Sequence, residues 1–312
     1  MQSESAFLST ILGVDIGGTF TDIVYYMPSP VNNPVGQLII HKVPSTPKHP
    51  AQGLLAGMQD LEIADECTIV HGSTVATNAL LERKGANTAL ITTLGFADVI
   101  EIGRQDRPAL YDIMQTRPPA LIPRERRFEL PERLDYRGAV LRAPTDDEYE
   151  KLLSQLRECG PESIAISLLY SFRNNAHEQT LASLLREQFP DAYLSLSSDI
   201  LAQFREYERT STVAVNAYVQ PLMARYLQNL EQHISGPLRI MQSSGGSISA
   251  AVAAQEPVRT VLSGPAGGVI GAFHIAEIAG HKQLITLDMG GTSTDISLCA
   301  GGITETNEAE IA

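Results

Sequence analysis

Four absences bound this 312-residue chain before any motif is read. Cysteine is scarce: Cys67, Cys159 and Cys299 are odd in number, widely scattered and form no C-x-x-C. That argues against a disulfide framework and a structural zinc site, and a reducing, cytoplasmic compartment is the expectation. Long apolar runs are missing: none approaches the roughly 18 residues that span a bilayer, and no basic segment precedes an apolar one at the start. Positive charge is short, since 23 Lys and Arg against 36 Asp and Glu leave a net charge of −13 spread along the chain. With no basic patch and no stacking platform of Tyr residues, neither nucleic acid nor an anionic membrane is an expected partner. Also absent are the two common nucleotide loops, G-x-x-x-x-G-K-[ST] and a G-x-G-x-x-G between strand and helix. What remains, 43% hydrophobic and 19% charged, is an ordinary globular composition, long enough for about two domains.

What the chain does have is one decapeptide written twice. Asp15–Val24 reads D-I-G-G-T-F-T-D-I-V, and Asp288–Ser297 reads D-M-G-G-T-S-T-D-I-S. Each copy follows a short apolar run (Ile11–Val14, Leu284–Leu287) and precedes further β-prone residues, so each reads as strand, glycine turn, strand. A paired glycine turn lets backbone N–H groups converge on an anion, because no Cβ blocks the approach. A carboxylate ending the first strand, Asp15 or Asp288, is placed to hold magnesium through its water shell. Two such hairpins facing each other would grip the phosphates of one nucleotide from both sides. Asp22 and Asp295 either assist the metal or face solvent.

Strands are expected at Thr10–Asp15, Phe20–Tyr26 and Gln37–Val43, with a helix over Ala51–Leu61. A strand at Cys67–Val70, a helix at Val75–Lys84 ended by Gly85, and a strand at Thr88–Thr92 follow. This order suggests a mixed sheet flanked by helices. Gly95 to about Arg142, rich in Arg and Pro, reads as an inserted subdomain or extended loop. Thr145 with Glu148 forms a capping-box signature for a helix through Leu156, and a compact α/β unit continues to Leu196. Glu206–Gln232 is mostly helical, with Pro221 expected to break or kink it. Leu238–Met241 is a strand and Ser243–Ser249 a Gly/Ser loop. From Pro265 to about Ala279 runs a helix containing Gly267, Gly268 and Gly271, poor helix formers that permit close backbone approach.

Several polar residues invite chemistry. His71 closes a strand before Gly72-Ser73-Thr74, where amides and hydroxyls at a helix start could meet a substrate or phosphate. It reads equally as catalytic or as a histidine satisfied by backbone partners. Arg104 and Arg107 read as a carboxylate or carbonyl clamp, or as solvated surface residues. Arg205, Glu206, Glu208 and Arg209 share a helical turn and read as a charge network.

The runs Gly13–Asp22, His71–Gly85, Ile102–Pro108, Arg205–Thr212, Met241–Gly246, Ser263–Ala272 and Asp288–Asp295 together resemble the A-type subunit of the hydantoinase/oxoprolinase family. That family lies within the superfamily of actin, sugar kinases and ATP-driven chaperones. The resemblance implies an α/β, actin-like (ribonuclease H-like) first lobe with a mixed sheet, an inserted α/β subdomain, and only the start of a second lobe. It implies an N-terminal hydantoinase/oxoprolinase-type domain over 1–200 and the beginning of the ATPase domain over 201–312. The hinge helix would lie near 265–280 and the second phosphate hairpin at 284–299. It further implies ATP-dependent opening of a cyclic amide, such as 5-oxoproline or a hydantoin, by phosphoryl activation of the amide oxygen. Gly17, Gly18, Thr19, Gly290, Gly291 and Thr292, with Gly267 and Gly268, would hold ATP. Asp15 and Asp288 would organise Mg2+ or another divalent metal, and Asp288, Asp15 and His71 would be catalytic. Ser73, Thr74, Asn78, Arg104 and Arg107 would face the substrate. The implied partners are a B-type subunit, the lobe beyond residue 312, or both. A ketone carboxylase subunit of the same family, a sugar-kinase-like protein and a non-catalytic nucleotide-binding protein are the alternatives. Because the adenosine-binding lobe of such proteins is not encoded by these residues, this polypeptide by itself is expected to bind ATP weakly or not at all. Isothermal titration returning micromolar ATP affinity for the purified 312-residue chain would contradict this.

Overall fold

Alternation of apolar and polar residues in the first hairpin sets the frame of the fold. In the computed structural model, which describes residues 10–17, 19–28, 36–46, 50–63, 67–105, 111, 114, 118–289 and 294–304, β1 (Ile11–Ile16) and β2 (Phe20–Met27) pair antiparallel. Leu12, Val14 and Ile16 of β1 and Ile23 and Tyr25 of β2 point to one face and are buried. β3 (Gln37–Pro44) adds antiparallel to β2. α1 (Pro50–Asp60) then covers the buried face with Leu54 and Met58. Its Gly57 lies so close to β2 that a Cβ there would stand 2.1 Å from Ile23 Cδ1. β4 (Thr68–Ser73) returns parallel to β1.

The chain divides into two compact units, residues 1–78 with 223–311, and residues 79–222. After α2 (Val75–Leu81) come β5 (Thr88–Thr93), the short α3 (Val99–Ile102), β6 (Arg127–Leu130), β7 (Arg133–Leu134) and β8 (Val140–Arg142). α4 (Asp146–Cys159), β9 (Ser163–Ser167), α5 (Ala176–Gln188), β10 (Tyr193–Leu196) and the short α6 (Ser197–Ile200) follow. The second unit is built on a four-stranded sheet in the order β10-β9-β5-β6, parallel throughout. β5 and β9 are buried along their whole length, as central parallel strands must be. Leu152 and Leu156 of α4 and Leu181 and Leu185 of α5 close over Ile91 and Ile166. The capping box on α4 forms as its sequence signature indicates, with Thr145 N–H donating to Glu148 Oε2 at 2.9 Å.

α7 (Glu206–Glu231) is one continuous helix with Pro221 inside it. β11 (Leu238–Met241), β12 (Ser247–Ser249) and α8 (Ala250–Gln255) follow, and β11 takes the place beside β4. The first sheet therefore runs β12-β11-β4-β1-β2-β3. α9 (Ser263–Ile278) packs on β4 and β11 and on a second hairpin, β13 (Gln283–Met289) with β14 (Thr294–Ala300). That hairpin repeats the register of the first: Asp288 faces Asp295 as Asp15 faces Asp22. Its burial is the reverse. Ile285, Leu287, Met289, Ile296 and Leu298 are 61–71% exposed, whereas their counterparts Leu12, Val14, Ile16, Ile23 and Tyr25 are 0–9% exposed.

Four expectations are corrected. The strand at Thr88–Thr93 joins the second sheet, not the first, because β11 occupies the position beside β4. The Arg- and Pro-rich stretch from Gly95 to Arg142 contributes β6 to that second sheet and the β7–β8 hairpin, two short elements that carry no periodic signal. Pro221 does not end its helix. Gly85 is not the left-handed residue after α2; Arg83 is, with φ 56°. Gly85 is required for space, since a Cβ there would meet the Tyr218 ring at 2.1–2.4 Å. Among the described residues no helix is long and apolar enough to cross a membrane. Gly85→Ala should destabilise the protein by about 1–3 kcal/mol through overpacking against Tyr218, read as a lower denaturant midpoint at unchanged slope.

Candidate functional site

The parallel pairing of β1 with β4 places Asp15 beside Gly72, Val14 beside His71 and Ile16 beside Ser73. Gly72 and Gly264, at the start of α9, leave room for the Asp15 carboxylate. A Cβ built on Gly72 would stand 3.6 Å from Asp15 Oδ1, and one built on Gly264 would stand 3.9 Å from it. A side chain on either would fill the space around the carboxylate. Asp15 is held above the ordinary carboxylate range, first by its partly desolvated seat and then by the negative charges of Asp22 and Asp288. The Asp22 charge is met by Lys42, whose Nζ lies 2.9 Å from Asp22 Oδ1 and 5.1 Å from the Phe20 ring centroid.

This is where the two copies of the repeat meet chemically. Asp15 and Asp288 come from hairpins far apart in the chain, yet each sits at the same place in its hairpin and the charge of one reaches the other. Hard carboxylate oxygens left in mutual repulsion suit a divalent cation such as magnesium, which keeps most of its water shell. Among the described residues no group of three or more His, Cys, Asp or Glu stands close enough to ligate a metal directly.

The first turn shows how its glycine is used. Gly17 N–H donates to Phe20 O at 3.0 Å, and a Cβ on Gly17 would approach that oxygen to 3.1 Å. Gly17 thus closes the turn, and its amide is spent within it. Thr19 follows on the exposed side, and its carbonyl accepts Ser45 N–H at 2.9 Å. Gly18, Gly290, Gly291, Thr292 and Arg107 lie outside the described residues.

His71 is completely buried, and both ring nitrogens are engaged. Nδ1 lies 3.2 Å from Val14 O and Nε2 2.6 Å from Tyr226 Oη. Burial lowers its pKa to about 4, against a smaller opposing effect of the Val14 hydrogen bond, so the ring is neutral near pH 7. As placed, it has no nitrogen to offer a ligand. Ser73 is buried: its Oγ accepts Val75 N–H at 3.3 Å and its carbonyl accepts from Ser263 Oγ at 3.4 Å. Thr74 Oγ1 reaches Ile16 O, and Asn78 Nδ2 donates to Thr74 Oγ1, each at 3.4 Å. Ser73, Thr74 and Asn78 are therefore gathered at the end of β4, next to Asp15. Arg104 belongs to the second unit, where its Nε pairs with Glu208 Oε1 at 2.8 Å.

The glycines of α9 divide. Gly264 approaches Asp15 and Thr74, and Gly267 approaches Met241, whose Cε would be 3.2 Å from an added Cβ. A Cβ on Gly268 or Gly271 would meet nothing within 4 Å. Sequence reasoning considered Gly72 only for its amide and overlooked Gly264 and Tyr226 as site residues. The two glycines stand inside the H-G-S-T and S-G-P runs already singled out, but Tyr226 carries no local signal because its partners are on β4.

A 3-2-1-4 strand order with three antiparallel strands, a parallel fourth and a repeated aspartate–glycine hairpin defines an actin-like, ribonuclease H-type fold. Within that class the chain belongs to the hydantoinase/oxoprolinase family. Residues 11–189 match the profile of the hydantoinase/oxoprolinase N-terminal region, and residues 209–312 match the hydantoinase/oxoprolinase profile. It is 34% identical over 312 residues to caprolactamase subunit alpha of Pseudomonas jessenii, covering 94% of this chain and 44% of that protein. It is 32% identical over 335 residues to 5-oxoprolinase 1 of Arabidopsis thaliana, covering 96% and 26%. A nucleotide-free structure of acetone carboxylase superposes with a TM-score of 0.84 at 28% identity, over 97% of this chain and 46% of that one. The chain thus spans less than half the length of these relatives.

His71 makes the fold acid-sensitive in a defined window. Its folded pKa lies below the unfolded value of 6.5, so its contribution is complete above pH 6.5 and is lost as pH falls towards about 4. Unfolding free energy measured across that window should fall more steeply for the wild type than for His71→Gln.

Proposed function

We propose that these residues form the phosphate-handling part of an enzyme that opens a cyclic amide at the expense of ATP. The observation that supports this most is the duplicated hairpin. Two aspartates at equivalent positions come within electrostatic reach of each other beside a Gly72–Gly264 opening. An amide carbonyl is a poor electrophile. Transfer of the γ-phosphoryl group to the amide oxygen forms an O–P bond, breaks the β,γ P–O bond and releases ADP. Water then adds to the activated carbon, and the C–N bond breaks as the nitrogen takes a proton, which opens the ring. A second water hydrolyses the resulting acyl phosphate to release inorganic phosphate. Such transfer depends on positioning and on charge stabilisation more than on covalent chemistry by the protein.

In this scheme Asp15 and Asp288 would hold Mg2+, and the ion would offset phosphate charge. Asp288 orients the attacking group, and the amides of the glycine turns other than that of Gly17 cradle the phosphates. Thr74 and Asn78, both half-buried and hydrogen-bonded to each other, meet the acceptor in this scheme. His71 supports the site from beneath, consistent with its occupied nitrogens. The bare apolar face of β13–β14 calls for a cover. We assign it to further polypeptide of the same enzyme, with a B-type subunit completing the assembly. The fit to acetone carboxylase favours a second reading, ATP-dependent carboxylation of a ketone by the same phosphoryl activation.

Phosphate release by the complete enzyme with 5-oxoproline, hydantoin, or acetone plus bicarbonate separates the two readings. Asp15→Asn and Asp288→Asn should each lower turnover by at least about a hundredfold. Asp15→Asn should also raise the melting temperature near pH 7. The raised carboxyl pKa means that ionisation opposes folding above the unfolded value of 3.8, so the gain disappears below that pH.

A further inference from the structure

We propose that Tyr226 is a positioning residue for the Asp15 site, acting through His71 on the end of β4. The inference deepens the reading of Asp15 as part of a phosphate site and rests on it.

The proton positions follow from the partners. Val14 O can only accept, so His71 Nδ1 carries the hydrogen of that 3.2 Å contact. A neutral imidazole then presents Nε2 as an acceptor, and Tyr226 O–H donates to it at 2.6 Å. A directed relay thus runs from Tyr226 through His71 to the carbonyl of Val14, the residue preceding Asp15. It ties α7 to β4 and β1 across 155 residues of sequence.

The placement explains what the relay can do. His71 and Ser73 are alternate residues of β4 and share a face, while Gly72 between them points to the other face, against Asp15. Tyr226 therefore braces β4 at His71, directly before the glycine that faces the carboxylate. Desolvation pushes the phenol pKa upward, and the Asp15 charge adds to the shift, so the hydroxyl stays protonated as the donor. Burying a phenol and an imidazole costs more than an apolar filling unless both are bonded. The arrangement specifies the geometry of β4 relative to β1, beyond filling space.

The test is Tyr226→Phe, which removes one oxygen and keeps the ring, compared with His71→Leu/Tyr226→Phe, which removes both partners. In the 312-residue chain, Tyr226→Phe should speed amide hydrogen exchange at Gly72, Ser73 and Asp15 by about tenfold while leaving β9 of the second unit unchanged. In the complete enzyme it should lower kcat for ATP-dependent phosphate release by about tenfold with KM for ATP unchanged. The double variant should recover melting temperature but not kcat. A uniform rise in exchange across both units, or recovery of kcat together with stability in the double variant, would overturn the proposal. So would unaltered exchange at Gly72 in Tyr226→Phe. A wild-type enzyme with no ATP-dependent phosphate release would refute the phosphate-site reading. The exchange measurement would still decide whether Tyr226 braces β4.

Discussion

The fold holds like charges near one another, and that constraint organises the first unit. Asp15 faces Asp22 across a strand pair and senses Asp288 from the second hairpin, an arrangement that opposes folding unless something cationic enters. The strands cannot relieve the repulsion by slipping. A shift of one residue would turn Leu12, Val14 and Ile16 out of the core under α1 and bring Asp15 into it. Apolar burial on one face therefore enforces charge crowding on the other. Lys42 answers only the Asp22 part of the problem.

Glycine does two different jobs around that charge. At Gly17 the missing Cβ lets the turn close on Phe20 O, while at Gly72 and Gly264 it keeps space open beside the carboxylate. At Gly85 and Gly57 it serves packing alone, against Tyr218 and Ile23. The residue type is the same in all five places, and only the neighbour reveals its purpose.

This difference marks what the sequence could disclose. The hairpins, the helices α1 and α4, and the capping box at Thr145 were legible because each depends on residues a few positions apart. The repeat itself exposed Asp15 and Asp288. What could not be read was which strand sits beside which. β11 rather than β5 lies next to β4, and β6 emerges from a stretch with no periodicity, because those choices depend on contacts between distant residues. His71 stood out in the sequence, but its partner Tyr226 is visible only once α7 is laid near β4. Arg104, attractive as a clamp in an acidic chain, is joined to Glu208 on a helix more than a hundred positions onward.

The reversed burial of the second hairpin has a practical outcome for anyone handling the protein. A strip made of Ile285, Leu287, Met289, Ile296 and Leu298 presents aliphatic surface on a two-stranded ribbon, the kind of feature that makes a polypeptide adhere to itself, to chaperones and to plastic. Colloidal behaviour then becomes a reporter. A companion polypeptide that seats on this strip should turn a sticky preparation into a monodisperse one well before any catalytic assay is attempted.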